Sequence, residues 1–346
     1  MDSFDVLLGE PYSIYFRRSF EGLPEVFDGA GLMGRKVFVV TDSNVGPLYL
    51  AAVEAALDCV GSFVFAAGEA SKNIDTIQGI YSAFLAHRLD RRSVVVALGG
   101  GVVGDMAGFA AATFMRGLPF VQLPTSLLAQ VDAGVGGKTG FDFDGLKNLV
   151  GAFYQPRLVY MNLDSLDTLP SLEFTSGLAE VIKHGFIGDS DYYRYLLDHR
   201  EAILDRVPEA MLEVIRGSCR IKAAVVAKDE RESGLREILN FGHCVGHAIE
   251  SLSGYSLPHG HCVAIGMCAA LHMSGIEEGK SLIESFGLPT KVEGMASSDI
   301  LATMFLDKKT QNDTLRIVLL KKFGEAYTDD GLTHRQMLEA LDSVVL

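Results

Sequence analysis

The stretch Ser93-Val-Val-Val-Ala-Leu-Gly-Gly-Gly-Val-Val-Gly104 decides how the first half of this chain folds. After Ser93 it is an unbroken apolar, β-branched run, the pattern of a strand buried on both faces. A glycine turn then leads straight into a helical pattern, so the backbone must pass tightly from strand to helix. Lys36-Val-Phe-Val-Val-Thr41, Ser62-Phe-Val-Phe-Ala66 and Phe120-Val-Gln-Leu123 read as further strands, the last ended by Pro124. Helical patterns over residues 45–59 and 74–88 lie between them. Strands alternating with helices at this spacing predict a parallel sheet with both faces covered.

Beyond about residue 170 the character changes. Residues 172–187, 208–226, 242–252 and 262–273 show helical periodicity with few strand signals, and Pro170 marks a boundary. The expected architecture is an α/β, Rossmann-like, NAD-binding domain over residues 1–170. An all-α domain over residues 171–346 follows, carrying metal and substrate, with the active site in the interdomain cleft.

At 346 residues, 48% apolar and 21% charged, the composition is that of a globular protein. A net charge of −14 argues against a nucleic-acid partner, so any anionic ligand must be held by a local cluster of Lys and Arg. The five cysteines are odd in number and form no C-x-x-C pair, which predicts reduced thiols. Residues 94–115 are long enough to span a bilayer, but five glycines and Asp105 argue for two buried elements around a turn. The start of the chain has no signal-peptide layout. A soluble, cytoplasmic protein with no membrane partner is expected.

Gly99-Gly-Gly-Val-Val-Gly104 satisfies G-x-G-x-x-G between a strand and a helix, where glycines and a helix N-terminus admit a pyrophosphate. Its register is unusual, since it follows a later strand and Pro124 occupies the usual acidic position. Asp42 and Asn44 leave the first strand and Glu69 and Lys72 the second, at the edge where ligands collect in open α/β sheets. A dinucleotide is the expected occupant. Gly134-Val-Gly-Gly-Lys-Thr139 is not a P-loop, because Asp132 stands where the first glycine belongs. With Lys138 and Lys147-Asn148 it remains a candidate phosphate cradle of another type.

The second half holds a dispersed polar set: Glu180, Lys183, Lys222, Arg236, Asn240, His243, His247 and His259. The segments that carry them run on into apolar sequence, so these groups are expected to line a buried site. One carboxylate with two separated histidines is a ligand set for a catalytic Zn²⁺ with an open position. Spacing alone leaves His184, His243, His247, His259 and His261 in play, with His243 and His247 equal as ligands and His259 behind them.

These motifs, with Met115-Arg116-Gly117, Leu123-Pro-Thr-Ser-Leu-Leu-Ala-Gln-Val-Asp132, Gly177-Leu-Ala-Glu-Val-Ile-Lys-His-Gly185, Leu239-Asn-Phe-Gly-His243, Gly246-His-Ala-Ile-Glu250 and Asp307-Lys-Lys309, resemble the 3-dehydroquinate synthase family. The resemblance runs over residues 36–325. It implies conversion of 3-deoxy-D-arabino-heptulosonate 7-phosphate to 3-dehydroquinate and phosphate, a shikimate-pathway step toward aromatic amino acids, in a carbon–oxygen lyase. NAD⁺ acts catalytically beside a divalent metal, Zn²⁺ or alternatively Co²⁺. The implied metal ligands are Glu180, His243 and His259, with His247 in an acid/base role and Lys138, Lys183, Asp132 and Asn240 near the reacting carbons. Phosphate contacts fall on Lys138, Asn148, Asn240 and Arg316, and carboxylate contacts on Lys222 and Arg236. Arg116 is implied to reach the neighbouring site of a homodimer.

The implied NAD contacts are Asp42, Asn44, Glu69, Lys72, Gly100, Gly101, Val102, Val103 and Asp105. Further along they are Thr125, Ser126, Asp132, Lys138, Lys147, Ser165, Thr168 and Leu169. The chain departs from the family in three places: His261 stands where Glu is usual, Ala133-Gly134 where two serines are common, and Ser126 in a usual Thr-Thr pair. Competing readings are another sugar-phosphate cyclase (an amino-dehydroquinate or 2-deoxy-scyllo-inosose synthase), an iron-dependent alcohol or glycerol dehydrogenase, and a non-catalytic dinucleotide-binding regulator. Lys222, Arg236, Asn240 and His247 favour a carboxylate-bearing substrate.

Overall fold

The computed structural model describes residues 3–232, 234–307 and 315–346. The chain divides into two compact units, Met1–Leu169 and Pro170–Leu346. The first contains β1 (Ser3–Val6), β2 (Tyr12–Arg17), α1 (Leu23–Gly29), β3 (Val37–Asp42), α2 (Gly46–Leu57), β4 (Gly61–Phe65) and α3 (Ile74–Ala86). It continues through β5 (Val94–Gly99), α4 (Gly101–Thr113), β6 (Phe120–Pro124), β7 (Lys138–Phe143), β8 (Leu146–Phe153) and β9 (Leu158–Asn162). The main sheet has the order β1-β2-β9-β6-β5-β3-β4, and β7 and β8 form a separate hairpin.

The sheet is parallel except for β1, which pairs antiparallel with β2. Its strands lack polar alternation because both faces are covered. Val37, Val39, Val94, Val96 and Leu98 pack with Leu23, Phe27 and Val53 on one side. Phe38, Val40, Val95 and Ala97 pack with Ile77, Phe84, Val103 and Met106 on the other. In-register parallel pairing (Asp42 with Phe65, Gly99 with Pro124) brings the C-terminal ends of β3, β4, β5 and β6 to one edge.

The second unit contains α5 (Ser171–Gly188), α6 (Ser190–Asp198), α7 (Arg200–Leu204), α8 (Pro208–Lys228), a 3₁₀ turn (Leu235–Asn240), α9 (His243–Leu252) and α10 (His259–Ser274). After these come α11 (Gly279–Ser285), α12 (Ser297–Asp307), β10 (Ile317–Lys322), β11 (Glu325–Asp329) and α13 (His334–Asp342). The expectation of an all-α unit is therefore corrected, since β10 and β11 form an antiparallel hairpin. Its turn is built by Gly324 at φ 84°. Phe323 stacks on Tyr193 at 4.2 Å and on Phe186 at 5.2 Å, which anchors the hairpin to α5 and α6. Lys308 and Lys309 of the Asp307–Lys309 motif lie outside the described residues. Among the described residues no helix is long and apolar enough to cross a membrane.

Glycines set how closely α5, α9 and α10 approach. A Cβ on Gly260 would meet the Ser176 carbonyl oxygen at 1.9 Å, and one on Gly266 would meet that of Gly242 at 2.0 Å. Gly246 lies against the Cys262 backbone, 3.0 Å from a built Cβ. The Gly260 amide also donates to Ser176 Oγ at 3.0 Å, tying the start of α10 to α5. These backbone contacts leave no room for a methyl group. Gly260→Ala should therefore cost about 3 kcal/mol of stability and weaken metal binding, because it pushes His259 away from Glu180. Urea unfolding and zinc titration check this; unchanged values would contradict it.

Candidate functional site

Three side chains converge in the second unit. Glu180 Oε1, on α5, lies 3.3 Å from His243 Nε2, on α9, and 3.7 Å from His259 Nε2, on α10. Ligand atoms of the three all lie within 4.8 Å of one another. The far nitrogen of each imidazole faces an acceptor: His243 Nδ1 the Phe241 carbonyl at 3.2 Å, and His259 Nδ1 the Glu250 carboxylate at 3.4 Å. Since those oxygens can only accept, both Nδ1 atoms carry a proton, which leaves each Nε2 as the ligand atom aimed at Glu180. Glu180 Oε1 is itself buried with no hydrogen-bond partner. Three ligand atoms converging beside a buried, unbonded carboxylate oxygen call for a positive charge, and one carboxylate with two imidazoles suits a divalent metal such as zinc.

Electrostatics agree with that geometry. Burial opposes ionisation of Glu180, yet contact with Lys183 Nζ and the nearness of His243 outweigh it and hold the carboxyl well below its usual range. Burial drives His243 down to about 4. It also opposes a charged His259, but the two carboxylates that face the ring, Glu180 and Glu250, prevail and raise it to about 9. In the metal-free protein a proton on His259 thus takes the place of the cation, and a metal must displace it. Apparent metal affinity should rise about tenfold per pH unit between pH 6 and 8 and level off near 9. Glu180 and His243 have already lost their protons by pH 6 and add no slope. Zinc titrations in buffers of different protonation enthalpy test this; pH-independent affinity would contradict it.

His247 sits one turn beyond His243, its ring centroid 5.3 Å from that of His243 and 5.9 Å from that of His259. It is half-buried and outside the three-atom cluster, which separates two histidines that spacing had left equal. His184 is fully buried on α5, also outside that cluster. His261 Nε2 is buried without a hydrogen-bond partner, and burial lowers that ring's pKa.

The cations named from sequence fall into a buried and an exposed group. Lys183, Lys222 and Arg236 are buried. Arg236 donates from Nη1 to the Glu230 carbonyl at 2.5 Å, and its amide donates to Asp229 Oδ2 at 3.0 Å. Arg316 is half-exposed and pairs with Glu237 at 3.0 Å. Asn240 Nδ2 donates to Glu232 Oε1 at 3.1 Å. Glu232 holds φ 58° and went unread in the sequence. Its signal was an acidic residue set between Lys222 and Arg236, two cations named from sequence. Glu250 was quoted in a motif but given no role; its signal is a position three residues after His247 and seven after His243 on one helix.

In the first unit the candidate cofactor residues gather at the C-terminal edge of the sheet. Gly100 precedes α4 with no side-chain cap, so the amides of the first turn at Gly101, Val102 and Val103 are available to an anion. A Cβ on Gly100 would lie 3.4 Å from Ser126 Oγ, and one on Gly101 3.4 Å from the Ala133 side chain. Lys72 Nζ pairs with Asp105 at 2.7 Å, and Lys147 with Glu69 at 3.6 Å. Burial disfavours the Lys72 charge, but Asp105 and Glu69 raise its pKa on balance. Asp42 accepts from the amides of Asn44 and Val45 at 2.8 and 2.9 Å.

Thr125 is buried. Ser165 donates to the Asn162 carbonyl at 2.6 Å, Thr168 bonds Tyr49 at 2.5 Å, and Leu169 ends the unit. Asp132 lies in a π-helical turn over Ala129–Ala133, a geometry common at functional sites. Lys138 and Asn148 are exposed on the β7–β8 hairpin, with Asn148 at φ 50°. Arg116 is exposed in a turn where Met115, Arg116 and Gly117 all have positive φ.

Comparison with known proteins covers both units. The 3-dehydroquinate synthase N-terminal model matches residues 62–176, and the C-terminal model matches residues 177–310. The 3-dehydroquinate synthase of Acetivibrio thermocellus is 45% identical over 328 residues, covering 91% of each chain. That of Methylococcus capsulatus is 47% identical over 340 residues, covering 94% of each. Among solved structures, 2-epi-5-epi-valiolone synthase from Streptomyces hygroscopicus, with NAD⁺ and Zn²⁺ bound, superposes with a TM-score of 0.88 at 26% identity over 96% of both chains. An iron-containing alcohol dehydrogenase shares the fold alone, with a TM-score of 0.69 at 16% identity over 98% of both chains.

Proposed function

The chain belongs to the 3-dehydroquinate synthase family, and we propose that it converts 3-deoxy-D-arabino-heptulosonate 7-phosphate to 3-dehydroquinate and phosphate, as a carbon–oxygen lyase. The observation that carries this reading is the convergence of Glu180, His243 and His259 ligand atoms around a buried, unbonded carboxylate oxygen. Those residues would hold the metal, Zn²⁺ or Co²⁺, and the C-terminal sheet edge would hold NAD⁺. When bound, the metal polarises substrate hydroxyls and the nicotinamide takes up and returns a hydride.

The chain's own groups bind, orient and move protons. Lys222 and Arg236, both buried, hold the substrate carboxylate, the arginine as a fork. Lys138, Asn148, Asn240 and Arg316 receive the phosphate. Oxidation at C5 makes a ketone that acidifies the neighbouring C6–H. Loss of that proton and of phosphate would leave an enone; once C5 is again an alcohol, the ring would open and an internal aldol addition would close the carbocycle. His247 serves as the acid/base at the hydroxyl being oxidised. Lys183 keeps Glu180 ionised, and Asp132 takes the role that the family resemblance implies for it. In this proposal the protein is a cytoplasmic homodimer, and the exposed, positive-φ turn at Arg116 reaches the neighbouring site.

A substrate panel tests the choice within the superfamily. The heptulosonate phosphate should turn over, while a heptulose 7-phosphate lacking the carboxylate should lose about 10⁴-fold in kcat/KM. Buried cations left without their anion account for a loss of that size. Equal turnover of the two, or of glucose 6-phosphate, would overturn the assignment.

A further inference from the structure

We propose that Glu250 is a positioning residue for His259, whose carboxylate sets how strongly the site holds its cation. The inference rests on the metal reading above. Glu250 lies near the end of α9, is 5% exposed, and places Oε2 3.4 Å from His259 Nδ1. On the other side of the ring, Nε2 faces Glu180 Oε1 at 3.7 Å. The imidazole of His259 is therefore bracketed by two carboxylates, one at each nitrogen.

The outer carboxylate fixes the tautomer, since it accepts from Nδ1–H and leaves the Nε2 lone pair directed inward. His243 is held differently, by the neutral Phe241 carbonyl at 3.2 Å. An anionic acceptor makes its imidazole the more basic donor, so His259 is the stronger of the two nitrogen ligands. Helix geometry explains how Glu250 reaches this place. It follows His247 by three residues and His243 by seven, on one face of α9. Ligand atoms of His247, Glu250 and His259 also lie within 4.8 Å of one another.

A purely architectural role is separable from this one. The Glu250 backbone carbonyl accepts from the Tyr255 amide at 3.0 Å and from Ser253 Oγ at 2.7 Å, which shapes the turn leading to α10. Side-chain substitutions leave those bonds in place.

The test uses the full chain with Glu250→Gln, Glu250→Asp and Glu250→Leu, and Glu180→Gln as a control. Zinc affinity is measured by competition with a chelator, together with the visible spectrum of the Co²⁺ form and thermal unfolding of the metal-free protein. Zinc affinity should fall about 10-fold in Glu250→Gln and about 100-fold in Glu250→Leu. Glu250→Asp should restore part of the loss, the Co²⁺ spectrum should change, and metal-free unfolding should remain cooperative, which shows that each variant folds. Parent-like zinc affinity in both Glu250→Gln and Glu250→Leu, with Glu180→Gln still losing the metal, would overturn this inference alone. Zinc binding that survives Glu180→Gln would overturn the metal reading and this inference with it.

Discussion

Replacing His247 by alanine should lower kcat by about 10²–10⁴-fold while one metal ion per chain stays bound. His247 is half-buried and its ring stands 5.3 Å from that of His243, so it is next to the cation site without belonging to the Glu180 cluster. Its exposure suits a group that must exchange protons with substrate and solvent. The alternative is written in the same geometry, because His247 also forms a possible ligand set with Glu250 and His259. Metal content measured beside turnover separates the two. A variant that loses metal and activity in parallel would make His247 a ligand and contradict the acid/base role.

The second large effect belongs to Glu180. Glu180→Gln should abolish stoichiometric metal binding and, with it, turnover. It should also destabilise the fold by about 3–5 kcal/mol, because the buried Lys183 loses its counter-charge. The two losses have different causes and are separable. Adding Lys183→Met to Glu180→Gln removes the buried cation as well, so urea stability should recover while metal binding should not. Recovery of both, or of neither, would contradict this division of roles between one carboxylate and its lysine.

The α/β half was legible because a strand buried on both faces leaves an unbroken apolar run, as in β3 and β5, and the glycine turn at Gly99 shows where the chain reverses. β1, β2 and β9 were not read. β2 has one half-exposed face and so lacks the continuous run, while β9 is five residues of Leu158-Val-Tyr-Met-Asn162 between a loop and a 3₁₀ turn. The β10–β11 hairpin was missed for a similar reason: its place depends on Phe323 stacking on α5 and α6, a contact that no local pattern encodes.

In the candidate site, residue types were legible and grouping was not. Periodicity places His243 and His247 on one helix face but does not say which of them meets Glu180. That is decided by backbone contacts at Gly242, Gly246, Gly260 and Gly266, which set the depth at which α5, α9 and α10 pack. Family resemblance named Glu180, His243 and His259, and the structure brings those three within ligand distance of one another. Glu232 stands in no motif, and the motif that ends at Glu250 does not name its partner. Their partners Asn240 and His259 are eight and nine residues away, too far for a helical repeat to pair them.

The central claim is that a metal-dependent cyclase uses its dinucleotide without consuming it. Its most direct test supplies metal-loaded protein with the heptulosonate phosphate and substoichiometric NAD⁺, and follows phosphate and the nicotinamide absorbance together. Many phosphates released per NAD⁺, with no net NADH, are predicted. NADH accumulating in step with turnover, or no phosphate release from metal-loaded protein, would contradict the account.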